Sequence, residues 1–198
     1  MHEYSIDVER NKVFFYIAAI SIIISGSVSY VINLVILTIP YIEFTISIAS
    51  MAVFGTLYSV FDKVIWKLEF LKKIGIVQTP NLNGTWEGEF SSSYYNFEKS
   101  FPAKFVIEQT WSKICIMGEF NYSTSSSYTA SLKVNEGGGV KLFYSYYNDK
   151  SPEFYKESMS NHRGYGSLEI DNSSIVGYYF NDPTNNKNHG RINLKRCS

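Results

Sequence analysis

The side chains of this sequence that could do chemistry suit the holding of an aromatic anion better than the breaking of bonds. Tyr94 and Tyr95 stand side by side, and Thr110 and Trp111 fall at a predicted turn. Arg163-Gly164-Tyr165-Gly166 alternates a guanidinium and a phenol with two glycines. Tyr178, Asn181 and Asp182 close one predicted strand, and Arg191 opens the next. A nucleobase is held by stacking on aromatic rings, and a phosphate by Arg, Lys, hydroxyls or backbone amides. Tyr94, Tyr95, Thr110, Trp111, Arg163, Tyr165, Tyr178, Asn181, Asp182 and Arg191 therefore form the candidate ligand set. Ordinary core packing is the competing use for each aromatic, and solvation for each arginine. Their concentration near strand ends is what joins them as a possible ligand mouth.

Catalytic machinery is thin. His2, His162 and His189 have no cysteine or acidic partner at metal-ligand spacing, and neither a P-loop nor a Gly-x-Ser-x-Gly elbow is present. Gly137-Gly138-Gly139 lies between strand-like segments and reads as a hairpin turn. Glu87 and Glu89 alternate on the face opposite Trp86, which puts them in solvent. The chain reads as a binding protein rather than an enzyme, with no metal and no cofactor beyond its ligand.

The elements that must position these residues are strands. From Leu82 onward eight segments alternate or are bounded by breakers. They are Asn83–Phe90, Phe101–Thr110, Lys113–Asn121, Ser127–Val134, Val140–Tyr147, His162–Ile170, Ser174–Phe180 and His189–Lys195. Asn135-Glu136-Gly137-Gly138-Gly139, Asp171-Asn172 and Asn181-Asp182-Pro183 separate several of them. Consecutive hairpins predict an all-β, eight-stranded, antiparallel up-and-down barrel, which leaves no exposed edge and has room for one small ligand. Lys104, Glu108, Lys141 and Lys195 rule out a uniformly apolar outer face, so this barrel does not itself lie in lipid. Cys115 and Cys197 fall mid-strand and at the chain end, which reads as two free thiols in a reducing compartment.

The barrel hangs from a membrane anchor. No Asp, Glu, Lys, Arg or His occurs between Val13 and Ile42, and a second uncharged run extends from Phe44 to Phe61. About 18 or more apolar residues suffice to cross the roughly 30 Å hydrocarbon layer as a helix. The sequence thus divides into a polar tail over 1–12, a first transmembrane helix over 13–39 and a second over 44–66. A linker over 67–80 and a soluble barrel over 81–198 follow. Arg10 and Lys12 precede the first span, and Lys63, Lys67, Lys72 and Lys73 follow the second, while the turn around Pro40–Glu43 has no Lys or Arg. Positive residues stay on the cytoplasmic side, so both termini are expected there. Ser21, Ser25, Ser29 and Asn33 recur every four residues on the first span, and Gly55 and Ser59 do so on the second. Such a stripe packs the two spans of one molecule together or joins hairpins of different molecules. Equal numbers of acidic and basic residues, 18 each, give no reason to expect DNA or RNA as a partner.

Two spans, a short linker and the motif Thr79-Pro80-Asn81-Leu82-Asn83-Gly84-Thr85-Trp86-Glu87-Gly88 at the start of a β-rich domain resemble the two-transmembrane, β-strand-rich effectors of bacterial CBASS antiphage systems. A Gly-x-Trp first strand also occurs in lipocalin-like barrels. Gly84, Trp86 and Gly88 read as structural, the glycines relieving crowding at a bend and the indole filling a closed end. The resemblance implies a receptor for a cyclic dinucleotide or related cyclic oligonucleotide made by a partner nucleotidyltransferase. It further implies self-association of the hairpins, disruption of the bacterial inner membrane and death of the infected cell. The alternatives are a tethered lipocalin-like barrel that binds a lipid or other apolar ligand and, third, an enzyme at the membrane surface.

Overall fold

The structure, a computed structural model, describes residues 1–39, 44–135, 137, 139–151, 161–171, 173–182 and 188–197. The expected turn at Pro40–Glu43 lies outside the described residues, as do Glu136, Gly138, Asn172 and Pro183 of the predicted breakers. The chain forms two units, Met1–Val8 with Thr79–Ser198, and Glu9–Gln78.

In the Glu9–Gln78 unit, helix α1 runs over Asn11–Leu37, 27 residues or about 40 Å, long and apolar enough to cross a membrane. Its outer face is apolar, with Phe15, Ile23 and Leu37 exposed. Helix α2 covers only Ser50–Lys63, 14 residues or about 21 Å, and is followed by a 3-10 turn at Ile65–Lys67 and helix α3 at Glu69–Lys73. The second helix expected over 44–66 is therefore shorter, because residues 44–49 are not helical. Side chains of α1 take the backbone bonds a helix would otherwise make. The Asn33 amide donates to the Ile46 carbonyl at 2.9 Å and accepts from the Ile46 N–H at 2.8 Å, and the Ser29 hydroxyl accepts from the Ile48 N–H at 2.9 Å. Thr45, Ile46 and Ile48 are β-branched and give up helical geometry readily. Ser21 and Ser25 are buried and donate to carbonyls of their own helix, Ala18 and Ile22, whereas Gly55 and Ser59 are exposed. Phe14 of α1 stacks on Tyr58 of α2, with ring centroids 5.6 Å apart.

The other unit is all-β. All eight predicted strands form: β2 Gly84–Ser92, β3 Ser100–Gln109, β4 Lys113–Phe120, β5 Ser123–Lys133, β6 Val140–Lys150, β7 His162–Ile170, β8 Ser174–Asn181 and β9 His189–Arg196. Each pairs antiparallel with its sequence neighbour, and β9 pairs with β2, so the ladder closes into a barrel. Strand β5 begins four residues earlier than the sequence pattern suggests. Its first inward residues are Ser123, Ser125 and Ser127, which carry no apolar signal.

A ninth strand was not legible. The segment expected as a free polar tail contains β1, His2–Ile6, which belongs to the β unit. Strands β4 and β5 pair only from Met117 to Phe120, and β1 fills the fork between them, antiparallel to β4 and parallel to β5. The imidazole of His2 and the N–H of Ile116 both meet the Ser127 hydroxyl, at 2.8 and 2.9 Å, where the fork begins. A five-residue strand made from His, Glu, Tyr, Ser and Ile has too few apolar positions to stand out. Its stability comes from a slot that other strands provide.

The core lies along the barrel axis, built from inward residues such as Phe105, Ile116, Leu142, Leu168 and Leu194. One end is plugged. Trp86 is 1% exposed there, donates its indole N–H to the Leu82 carbonyl at 3.2 Å and carries the Arg196 guanidinium 5.0 Å above its ring. Beside it, Gln109 accepts from the Leu82 N–H and donates to the Tyr4 phenol, which donates to the Trp111 carbonyl at 3.0 Å. Gly84 has φ +134°, and a Cβ on Gly88 would meet the Asn193 carbonyl of β9 at 2.2 Å.

Candidate functional site

The opposite end of the barrel holds a cavity of about 350 Å³, lined by residues that include Phe90, Ser92, Tyr94, Tyr95, Ser123, Tyr144, Tyr146, Asn148, His162, Tyr179 and Asn181. That volume is at the lower end of ligand pockets, roughly 300–1,000 Å³. It comes from late residues of β2, β4, β6 and β8 and early residues of β5, β7 and β9.

Space for it arises from pairs of tyrosine and glycine on adjacent strands. Tyr144 faces Gly166 and Tyr146 faces Gly164 across β6 and β7, and Tyr179 faces Gly190 across β8 and β9. A Cβ would come within 2.2 Å of the Tyr146 ring at Gly164, 2.2 Å of the Tyr144 ring at Gly166 and 2.3 Å of the Tyr179 ring at Gly190. Each ring therefore lies along the wall over a glycine instead of projecting across the lumen. Any larger residue would push the ring inward, into the cavity. The Tyr146 hydroxyl donates to Asn181 Oδ1 at 3.0 Å, which fixes both side chains. Burial pushes the phenols of Tyr144 and Tyr146 well above their ordinary range and raises that of Tyr179, against an opposing hydrogen bond with Ser92.

A shallower recess continues from the cavity, sharing Phe90, Tyr95, Ser123, Asn148 and His162 and adding Phe101 and Lys150. Lys150 is only 6% exposed, and its backbone N–H is held by Asn161 Oδ1 at 2.9 Å. The site thus combines aromatic faces, amide and hydroxyl groups that can read polar edges, and a cation at the margin. Among the described residues no group of three or more His, Cys, Asp and Glu could hold a metal ion, and Cys115 and Cys197 are free thiols.

The ten sequence candidates are divided by the fold. Tyr94, Tyr95 and Asn181 line the cavity. Thr110 and Trp111 stand at the plugged end, where the Thr110 hydroxyl accepts from the Ser112 and Lys113 N–H groups and Trp111 is buried. Arg163, Tyr165, Tyr178 and Arg191 point outward from the barrel wall. Asp182 donates its N–H to the Arg163 carbonyl at 2.8 Å and is not among the cavity's lining residues. The period of two explains the division. In Arg163-Gly164-Tyr165-Gly166 the glycines face inward and seat tyrosines of β6, so the guanidinium and phenol between them must face out. The sequence reading missed Tyr144, Tyr146, Asn148, His162 and Lys150. The available signal was the run Tyr144, Tyr146, Asn148, Lys150 at every second position, opposite a strand with glycine at two alternate positions, Gly164 and Gly166.

A membrane-anchored helical region followed by a closed β unit with an internal, aromatic-lined cavity defines a tethered small-molecule receptor. Residues 77–196 match the Cap15 cyclic dinucleotide receptor domain, and residues 11–67 match the Cap15 TM helices. The chain belongs to the Cap15 family, CBASS effectors that join a transmembrane region to a cyclic dinucleotide receptor domain. No curated protein matches the chain.

Proposed function

We propose that the barrel cavity is the cyclic dinucleotide site and that its occupancy drives the membrane region to assemble and breach the bacterial inner membrane. The observation that carries this reading is the set of tyrosines laid over glycines around a cavity with Lys150 at its margin. Bases stack among Tyr95, Tyr144, Tyr146 and Tyr179, and Asn148, Asn181 and Ser123 hydrogen-bond their edges. The phosphodiesters meet Lys150 and His162 where the cavity meets the recess. These polar groups favour a nucleotide over the purely apolar ligand of a lipocalin-like barrel, whose cavity needs no amide or ammonium.

In this reading the helical region is a two-pass hairpin, α1 crossing as a helix and the non-helical residues 44–49 together with the 14-residue α2 making the return. Both termini then lie in the cytoplasm, because Arg10, Lys12, Lys63, Lys67, Lys72 and Lys73 flank the two runs on one side. A partner nucleotidyltransferase makes the ligand on infection. The effector associates with other copies of itself, and the cell dies before phage are released. A ligand drives this change only by binding the assembled state better than the free one. Moving the balance from 1:99 to 99:1 needs about 5.5 kcal/mol of differential binding, within reach of several stacking and phosphate contacts.

The test is binding of labelled cyclic di-AMP, cyclic di-GMP and cyclic GMP–AMP to the full chain in detergent, alongside Lys150→Ala and Tyr146→Ala. Saturable binding of one of them at micromolar concentration or below, weakened at least tenfold by either substitution, is expected. Absence of binding across the panel, or variants that bind as the parent does, refutes the assignment. A C-terminal reporter that reads as exported refutes the orientation.

A further inference from the structure

Four residues from the sequence's candidate set that lie outside the cavity fall together on one outer wall. Across β6, β7 and β8, Tyr165 stacks on Phe180 with centroids 5.5 Å apart and planes 8° apart, and Phe143 stacks on the other side of Tyr165 at 6.4 Å. Tyr178 and Val176 extend the patch along β8, and Arg163 and Arg191 border it on β7 and β9. The exposures are 38% for Tyr165, 45% for Phe180, 50% for Val176 and 55% for Tyr178. Aromatic residues bordered by arginine are the composition of a protein–protein contact centre, whereas isolated exposed apolar residues need no explanation.

The opposite wall complements it. In the strand order β1-β4-β3-β2-β9-β8-β7-β6-β5, β3 lies across the barrel from β7. The outward residues of β2, β3 and β4 form a small apolar centre, Val106 beside Met117, framed by Glu87, Glu89, Glu108 and Glu119. Glu119 pairs with Lys104 at 3.2 Å, while Glu89 and Glu108 have no ion pair among the described residues. One wall thus offers aromatic rings edged by guanidinium groups, and the other a small apolar patch edged by four carboxylates, with Lys104 between Glu87 and Glu119. The two lie on opposite sides of the same unit.

We infer that the β6–β8 wall docks on the β2–β4 wall of a second copy of this chain, so that receptor units join in a row. Two different surfaces on opposite sides make a heterologous contact, which leaves each end open to a further copy and does not stop at a dimer. Membrane anchoring puts all copies on one bilayer and raises their effective concentration there. The inference rests on the assembly reading proposed above and supplies the surface for it.

The experiment uses the full chain carrying Cys197→Ser, in nanodiscs or proteoliposomes, with each cyclic dinucleotide of the panel in turn. In Tyr178→Cys, with copper–phenanthroline and air as oxidant, the introduced thiol is expected to form disulfides with the native Cys115 of the next copy, an outward residue of β4 beside Glu108. The ligand should produce a ladder of dimers, trimers and larger species that disappears on adding Cys115→Ser. Separately, Tyr165→Thr with Phe180→Thr keeps strand-forming residues on the outer face. It should retain the labelled probe as the parent does while raising the protein concentration needed for assembly at least tenfold; Tyr165→Phe should assemble normally. Unchanged assembly of the double variant overturns the inference, as do dimers that persist with Cys115→Ser, which mean like walls meet. Assembly that appears in phosphatidylglycerol but not in phosphatidylcholine membranes also overturns it, assigning the wall to lipid. A parent chain that retains no probe removes the receptor reading and this inference together, an outcome distinct from one in which only the wall fails.

Discussion

Gly164→Ala tests how the cavity is built. Without its neighbours, replacing glycine by alanine within a strand should stabilise the protein by roughly 0.5–1 kcal/mol, because less backbone entropy is lost on folding. Here the new Cβ would stand 2.2 Å from Tyr146 Cζ and 2.3 Å from its hydroxyl oxygen. Carbon contacts settle near 3.5–4.0 Å, so the ring must swing inward by about 1.3 Å or more. That movement stretches the 3.0 Å bond to Asn181 and leaves a buried acceptor short of its donor. Overpacking of this kind costs about 1–3 kcal/mol, enough to reverse the intrinsic gain. The displaced ring also enters the space proposed for the ligand, and a similar penalty on binding lowers affinity by about 5- to 150-fold. The assay is a double-mutant cycle with Tyr146→Ala, following denaturation by near-ultraviolet circular dichroism and cyclic dinucleotide binding by calorimetry on the full chain in detergent. With the ring gone, Gly164→Ala should become neutral or stabilising. Equal effects in both backgrounds, or a stabilised single variant, would refute the seating of Tyr146 over Gly164.

Other predictions concern the margin of the cavity, the first strand and the helices. Lys150→Ala should flatten the salt dependence of dinucleotide binding, since a charge pair is screened by salt and a stacking contact is not; an unchanged salt slope excludes Lys150 as a phosphate partner. Burial tends to raise the Asp7 carboxyl, but the Val134 and Asn135 N–H groups it accepts from, at 2.8 and 3.2 Å, outweigh that and hold it below its ordinary value. A lowered folded pKa means the contact stabilises above the unfolded pKa of about 3.9 and fades as pH falls through the folded value. Amide exchange of β1 should therefore quicken in the parent below about pH 4, and Asp7→Asn should lack that step; identical profiles would exclude Asp7 as the clasp. Asn33→Leu strips the Ile46 N–H and carbonyl of their partners, at about 1–3 kcal/mol for each group left unsatisfied. Thermal loss of helical dichroism in micelles should move down by several degrees, and an unmoved transition would mean the bonds contribute nothing.

What sequence alone determined here is the set of features that depend on local chemistry. Val13 to Ile42 has no charge to place in water, so it commits to an apolar environment whatever the rest of the chain does. Alternation in Ile114, Ile116, Gly118 and Phe120, with glycine and asparagine breakers between such runs, specifies strands and hairpins, and hairpins in succession leave closure as the way to remove the edges. The motif from Thr79 to Gly88 pointed to the receptor family for the same reason, since its residues are neighbours in sequence.

Tertiary structure decided everything that depends on which strand lies beside which. Gly164 and Gly166 look like points of close approach to a ligand until β6 is laid against β7, when they become seats for Tyr146 and Tyr144. The same pairing turns Arg163 and Tyr165 outward. Trp111 and Tyr95 both sit at strand ends, yet one end is plugged by Trp86 and Gln109 and the other is hollow, a distinction no local pattern carries. The strand at His2–Ile6 exists because β4 and β5 diverge beyond Met117, and the break before α2 is held by Ser29 and Asn33 from another helix. In each case the deciding contact joins residues far apart in the chain, and its energy appears only once the fold has brought them together.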